Sequence, residues 1–173
     1  MLWSDRFVWL HVPKCAGTQT RAVLRKLGAF DEDLDPSIWH QGRREGLTDS
    51  GRVVVANFRR LPSWVLSLAH YEAARGGGPA DPWRWSGDDV LARYDADRWI
   101  RAEHLPEDFA AAFGDLIELP TARLTKMFRK RRNATDYDRS LEAWFTPADL
   151  ERLYAANPAW AALERRLYGD LLV

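Results

Sequence analysis

Apolar and polar positions along the chain fall into blocks that pair a short strand with a following helix. Residues 6–12 (RFVWLHV) are an apolar run ending at Pro13, and after the turn Pro-Lys-Cys-Ala-Gly-Thr the stretch Thr18 to Leu27 has helical character. Residues 52–58 (RVVVANF) are β-branched and almost uninterrupted, the pattern of a strand buried on both faces of a parallel sheet. A helix is expected from Leu61 to Ala74 with Pro62 in its first turn. Ser37 to His40 reads as a short strand, Trp99 to Ala102 as another, and Pro106 to Phe113 as a helix opened by Glu107 and Asp108. Residues 75–89 hold Gly76, Gly77, Gly78, Pro79 and Pro82, too many breakers for regular structure, and predict a long surface loop. Two helices close the chain, one capped by Thr146 with Pro147 behind it and one from about Pro158 to Tyr168. The order predicts a three-layer α/β fold, a central parallel sheet flanked by helices, in a single domain over residues 1–173.

Composition narrows the ligands. Of the 173 residues, 46% are apolar and 29% charged, ordinary for a globular protein with a core of its own. The 25 basic and 25 acidic side chains cancel, so no global field draws nucleic acid or an anionic membrane, and neither is expected as a partner. A charged ligand must then be held by a local cluster. The one cysteine excludes an internal disulfide and a multi-cysteine zinc site, and fits a reducing compartment. No apolar run reaches the ~20 residues of a membrane helix. Asp5, Arg6 and His11 interrupt the segment where a signal peptide would be apolar, so a cytoplasmic location is expected. The nine tryptophans follow no period, and core filling accounts for most of them; a dimer interface would use them equally well.

The candidate chemistry begins at the first turn. A loop joining a parallel strand to a helix gathers backbone N–H groups and the positive end of the helix dipole at one point, which binds oxyanions. In residues 13–20 (PKCAGTQT), Gly17 allows close approach of the backbone, Thr18 and Thr20 add hydroxyls, and Lys14 adds a full charge. The Walker order Gly-x-x-x-x-Gly-Lys-Ser/Thr is absent because here the lysine precedes the glycine, so ATP or GTP binding by that route is not expected.

The segment FVWLHVPKCAGTQTRAVL resembles the 5′-phosphosulfate-binding loop of sulfotransferases, particularly the carbohydrate type, where a strand ending in His-Ile-Pro-Lys-Thr-Ala-Gly-Thr is typical. The family carries a second element at the end of a later strand, an arginine followed eight residues on by a serine, and Arg59 and Ser67 in ANFRRLPSWVLSLAHY have that spacing. Looser similarity continues in WIRAEHLPEDF and over residues 131–169. Cys15 stands where threonine is usual, Pro62 lies one position later than in the common Arg-Asp-Pro, and the chain is short for the family.

The resemblance implies a P-loop-like sulfotransferase architecture and a donor, 3′-phosphoadenosine 5′-phosphosulfate, used without a metal. Lys14 would neutralise the leaving oxygen, and the N–H groups of Cys15, Ala16, Gly17, Thr18, Gln19 and Thr20 would hold the 5′-phosphate. Arg59 and Ser67 would grip the 3′-phosphate. Arg132, in the basic run Arg129-Lys130-Arg131-Arg132 ahead of Asn133, would fold over the nucleotide; such a run is also the pattern of a solvated face. The acceptor is expected to be a carbohydrate hydroxyl, with tyrosine and small alcohols as alternatives. Trp83 and Trp85 could stack on it or pack against the domain.

The acceptor proton needs a base. Of the four histidines, His11 lies in a strand and reads as a core residue, His70 is on a helix and His104 follows Glu103. His40 is the candidate, with Glu45 as its substitute; a surface histidine capping a loop is the plain alternative. Two rival functions remain. Cys15 and Arg21 satisfy the Cys-x5-Arg pattern of cysteine-dependent phosphatases, although Lys14 and Ala22 replace the residues usual before the nucleophile and after the arginine. A non-catalytic nucleotide-binding domain would keep the donor pocket alone.

Overall fold

The computed structural model describes residues 1–33, 40, 42–129 and 135–173. Their strands are β1 Leu2–Trp3, β2 Phe7–Leu10, β3 Glu32–Asp33, β4 Val53–Phe58 and β5 Arg98–Arg101. Their α-helices are α1 Gly17–Leu27, α2 Leu61–Ala73, α3 Gly87–Leu91, α4 Leu105–Phe113, α5 Thr121–Phe128, α6 Pro147–Ala155 and α7 Pro158–Tyr168. Ser37, Ile38 and Trp39 of the expected strand lie outside the described residues, and His40 sits in a turn. The chain divides into two compact units, residues 1–58 with 93–133 and residues 59–92 with 134–173.

The first unit is built on a five-stranded mixed sheet in the order β3-β1-β2-β4-β5, flanked by helices. Strands β2, β4 and β5 run parallel, and the buried apolar runs of β2 and β4 suit the interior of such a sheet. The expected all-parallel sheet is corrected at the other edge, where β1 is antiparallel to both β2 and β3. The cause is local: Ser4 closes a tight turn, its Oγ accepting from the amides of Arg6 at 3.1 Å and Phe7 at 3.3 Å, which folds β1 back on β2. One face of the sheet, with Phe7, Trp9, Val55 and Ile100, packs on Val23 and Leu24 of α1, Phe109 and Phe113 of α4, and Leu124 and Phe128 of α5. Each such large side chain contributes about 1.5 to 3 kcal/mol of burial.

A polar residue interrupts that face. Asn57, fully buried in β4, accepts from Trp9 Nε1 at 2.9 Å and donates to Thr20 Oγ1 at 2.9 Å, so it ties β2 to the first turn of α1. Asn57→Ala leaves the indole N–H of Trp9 without its acceptor in the interior. We expect a loss of roughly 2 to 4 kcal/mol in urea denaturation; a loss below about 0.5 kcal/mol would mean that the link is not structural.

The second unit is helical. Trp64 of α2 and Trp160 of α7, both fully buried, pack with ring centroids 4.7 Å apart. Helices α3 and α7 cap each other: Asn157 Oδ1 accepts from Gly87 N at 2.6 Å, while Asp88 accepts from Ala159 N at 2.9 Å and Trp160 N at 2.8 Å. Thr146 and Asp149 form the capping box of α6. Residues 74–86 are irregular, as their glycines and prolines predict, but the loop expected over residues 75–89 stops short, because Ser86 caps α3 by accepting from Asp89 N and residues 87–89 are helical. Among the described residues no helix is long and apolar enough to cross a membrane.

Candidate functional site

The chain leaves β2 at Leu10 and reaches α1 through residues 11–16. Lys14, at φ 60°, and Ala16, at φ 63°, are the only described non-glycine residues with positive φ. Each costs an L-residue about 1 to 2 kcal/mol. Alternating left-handed and ordinary conformations turns successive amides to one side, the geometry of an anion-binding nest. Helix α1 has no acidic residue in its first turn and no side-chain cap. The amides of Ala16, Gly17 and Thr18 therefore stay outside the helical ladder at the positive end of its dipole.

The structure sorts the residues expected here. Lys14 and Ala16 are half-buried and Thr18 is exposed. Gln19 and Thr20 are buried, and their amides both donate to Ala16 O, at 3.0 and 3.2 Å. The Gln19 side chain donates from Nε2 to Phe128 O at 3.2 Å, and the Thr20 hydroxyl accepts from Asn57. The Cys15 amide donates to Val12 O at 3.4 Å and its thiol is fully buried. The cradle expected over residues 15–20 thus narrows to the amides of residues 16–18, the Thr18 hydroxyl and Lys14. Arg21 is buried on α1.

Gly17 has a reason that the sequence did not show. A Cβ there would fall inside the imidazole of His11, which lies directly against the glycine. His11 stacks on Trp9 with centroids 5.3 Å apart, and burial, with the positive charges of His40 and Arg21 adding, pulls its pKa down from 6.5 to about 3. Because the folded value is depressed, this contribution to stability is complete above pH 6.5 and is lost as the pH falls toward 3. The full loss is on the order of 4 to 5 kcal/mol. Urea denaturation between pH 7 and pH 4 should show a shallower pH slope in His11→Gln than in the wild type; equal slopes would contradict the assignment.

His40 is exposed, and its ring centroid lies 4.5 Å from that of His11. Its Nδ1 is 3.0 Å from His11 O; a carbonyl only accepts, so Nδ1 carries the proton and Nε2 keeps its lone pair. Desolvation lowers the His40 pKa and the positive charge of Arg93 adds to it, against the opposing hydrogen bond to His11. The imidazole is therefore neutral at pH 7, the form a general base needs. Glu45 is exposed. Tyr94, which no sequence pattern singled out, is buried with its hydroxyl 3.0 Å from His40 O and 3.3 Å from His11 O.

In the second unit, Arg59 precedes α2 in the chain. Its carbonyl accepts from Trp160 Nε1 at 3.1 Å, while its guanidinium makes no hydrogen bond or ion pair among the described residues. Its neighbour Arg60 does the structural work, paired with Asp170 at 2.6 Å and Glu164 at 3.4 Å and stacked on Tyr168. Glu164, fully buried, also accepts from Leu61 N at 2.8 Å and fixes the start of the helix. Ser67 is buried on α2, and its hydroxyl makes no hydrogen bond among the described residues. Trp83 is 43% exposed, under the Arg152 guanidinium at 4.7 Å and edge-on to Phe145; Trp85 lies beside Arg84. Arg129 is exposed, whereas Lys130, Arg131, Arg132 and Asn133 lie outside the described residues.

A cleft lined by Arg43, Asp49, Arg52, Asp95 and Asp97 lies where β4 and β5 begin, at the end of the parallel strands opposite the loop after β2. No family model matches the chain, and no curated protein or solved structure matches it.

Proposed function

We propose that this chain is a sulfotransferase of P-loop-like architecture that moves a sulfuryl group from 3′-phosphoadenosine 5′-phosphosulfate to a hydroxyl, on a carbohydrate acceptor. The observation that carries the reading is the left-handed pair Lys14 and Ala16 at the mouth of an acid-free helix. A lysine held where glycine would be relaxed argues that its side chain is needed there. The resemblance of the surrounding segment to the phosphosulfate loop supplies the ligand. A cytoplasmic setting, in keeping with the one free thiol, belongs to the same proposal.

In the reaction the acceptor oxygen forms a bond to sulfur in line with the S–O bond that breaks. The acceptor proton passes to His40 Nε2, and the electron pair of the broken bond stays on the 5′-phosphate oxygen, where the Lys14 ammonium stabilises it. The amides of Ala16, Gly17 and Thr18 hold that phosphate. Arg59 and Ser67 take the 3′-phosphate, a role supported by a guanidinium and a hydroxyl that have no other partner among the described residues. Thiol catalysis is less well served, since Cys15 is fully buried and a phosphate ester cannot reach it in this conformation.

The test is release of 3′,5′-adenosine bisphosphate from the donor across a panel of sugar acceptors. Release that depends on an added acceptor, with sulfate recovered on it, is expected. Donor binding without turnover on any hydroxyl would favour a nucleotide-binding module instead.

A further inference from the structure

We propose that Tyr94 is the positioning residue for the general base, holding His40 in the one orientation and tautomer that aims a basic nitrogen outward. The inference rests on the sulfotransferase reading for its reaction and on geometry for its placement. His40 sits in a turn, and an imidazole left to itself samples both tautomers and several rotamers. Here three hydrogen bonds close a triangle. His40 Nδ1 donates to His11 O at 3.0 Å, and the Tyr94 hydroxyl is shared between His40 O at 3.0 Å and His11 O at 3.3 Å. The first residue after β2 and residue 40 are thereby joined through one phenol. The preceding residue adds a second tie, because Arg93 O accepts from Arg43 N at 2.9 Å. Gly42, at φ 77°, permits that contact; a Cβ there would strike the Arg93 carbonyl.

Burial raises the Tyr94 pKa, so the phenol remains a donor at any working pH. Tyr94 touches neither donor nor acceptor in this scheme; it acts through His40.

Long-range imidazole ¹⁵N–¹H spectra at pH 7 read the tautomer directly. In the wild type His40 should carry its proton on Nδ1. In Tyr94→Phe the signal should move toward the Nε2-protonated form, and kcat should fall about 10- to 100-fold while the donor KM changes less than about twofold. An unchanged His40 tautomer, or an unchanged kcat, in Tyr94→Phe overturns the proposal. So does a wild-type His40 protonated on Nε2, a result that stands even where Tyr94→Phe does not fold. If the wild type turns over no acceptor, the sulfotransferase reading fails, while the His40 spectra still decide whether Tyr94 sets the ring.

Discussion

Replacing Lys14 with alanine is expected to lower turnover by more than ~100-fold, because the proposed reaction sets its ammonium against the leaving oxygen. Donor affinity should fall far less, since the amides of residues 16–18 remain. Backbone strain offers a control that separates chemistry from folding. Lys14 sits at φ 60°, where glycine is unstrained, so Lys14→Gly should be more stable than the wild type by about 1 kcal/mol in urea denaturation and yet be as inactive as Lys14→Ala. A glycine variant that keeps most of its activity would show that the ammonium is not used, and the strain at position 14 would then need another explanation.

Arg59→Ala carries the second large effect. The guanidinium has no partner among the described residues, so its removal should leave stability within about 0.5 kcal/mol of the wild type. Binding of 3′,5′-adenosine bisphosphate should weaken by roughly 2 to 4 kcal/mol, the cost of losing a charge-assisted contact. Arg60→Ala should show the reverse pattern, because Arg60 is tied to Glu164, Asp170 and Tyr168 and holds the turn before α2. Isothermal calorimetry beside urea denaturation separates the two. Equal nucleotide affinity in wild type and Arg59→Ala would remove the 3′-phosphate from this arginine.

Long elements with a strong local signal were legible in the sequence. The continuous run RVVVANF gave β4 to within a residue, and the Thr146-Pro147 and Pro158 signals placed α6 and α7. Strands β1 and β3 have two residues each, too short to show a period, so the antiparallel edge went unseen. Helix α3 has five residues at the end of a glycine- and proline-rich stretch, and α5 abuts the basic run; neither stood out from its surroundings.

The site was legible as chemistry and less so as geometry. Lys14 and Gly17 stood out by type and spacing, but the burial of Gln19 and Thr20 depends on partners at Phe128 and Asn57, more than 35 residues away in the chain. Asn57 did leave a sign, as the one polar residue inside an apolar strand. Tyr94 left none, since its hydroxyl meets the carbonyls of His11 and His40, 83 and 54 residues away in the chain.

Thermal denaturation with 3′,5′-adenosine bisphosphate, ADP and AMP tests the central claim most directly. At concentrations near 100 times Kd a specific ligand adds about 2.7 kcal/mol. For a chain of this size that corresponds to a rise in Tm of roughly 5 to 10 °C. The account predicts that rise for the 3′-phosphorylated nucleotide, with little change for ADP or AMP. Equal shifts with all three, or none with the bisphosphate, would contradict it.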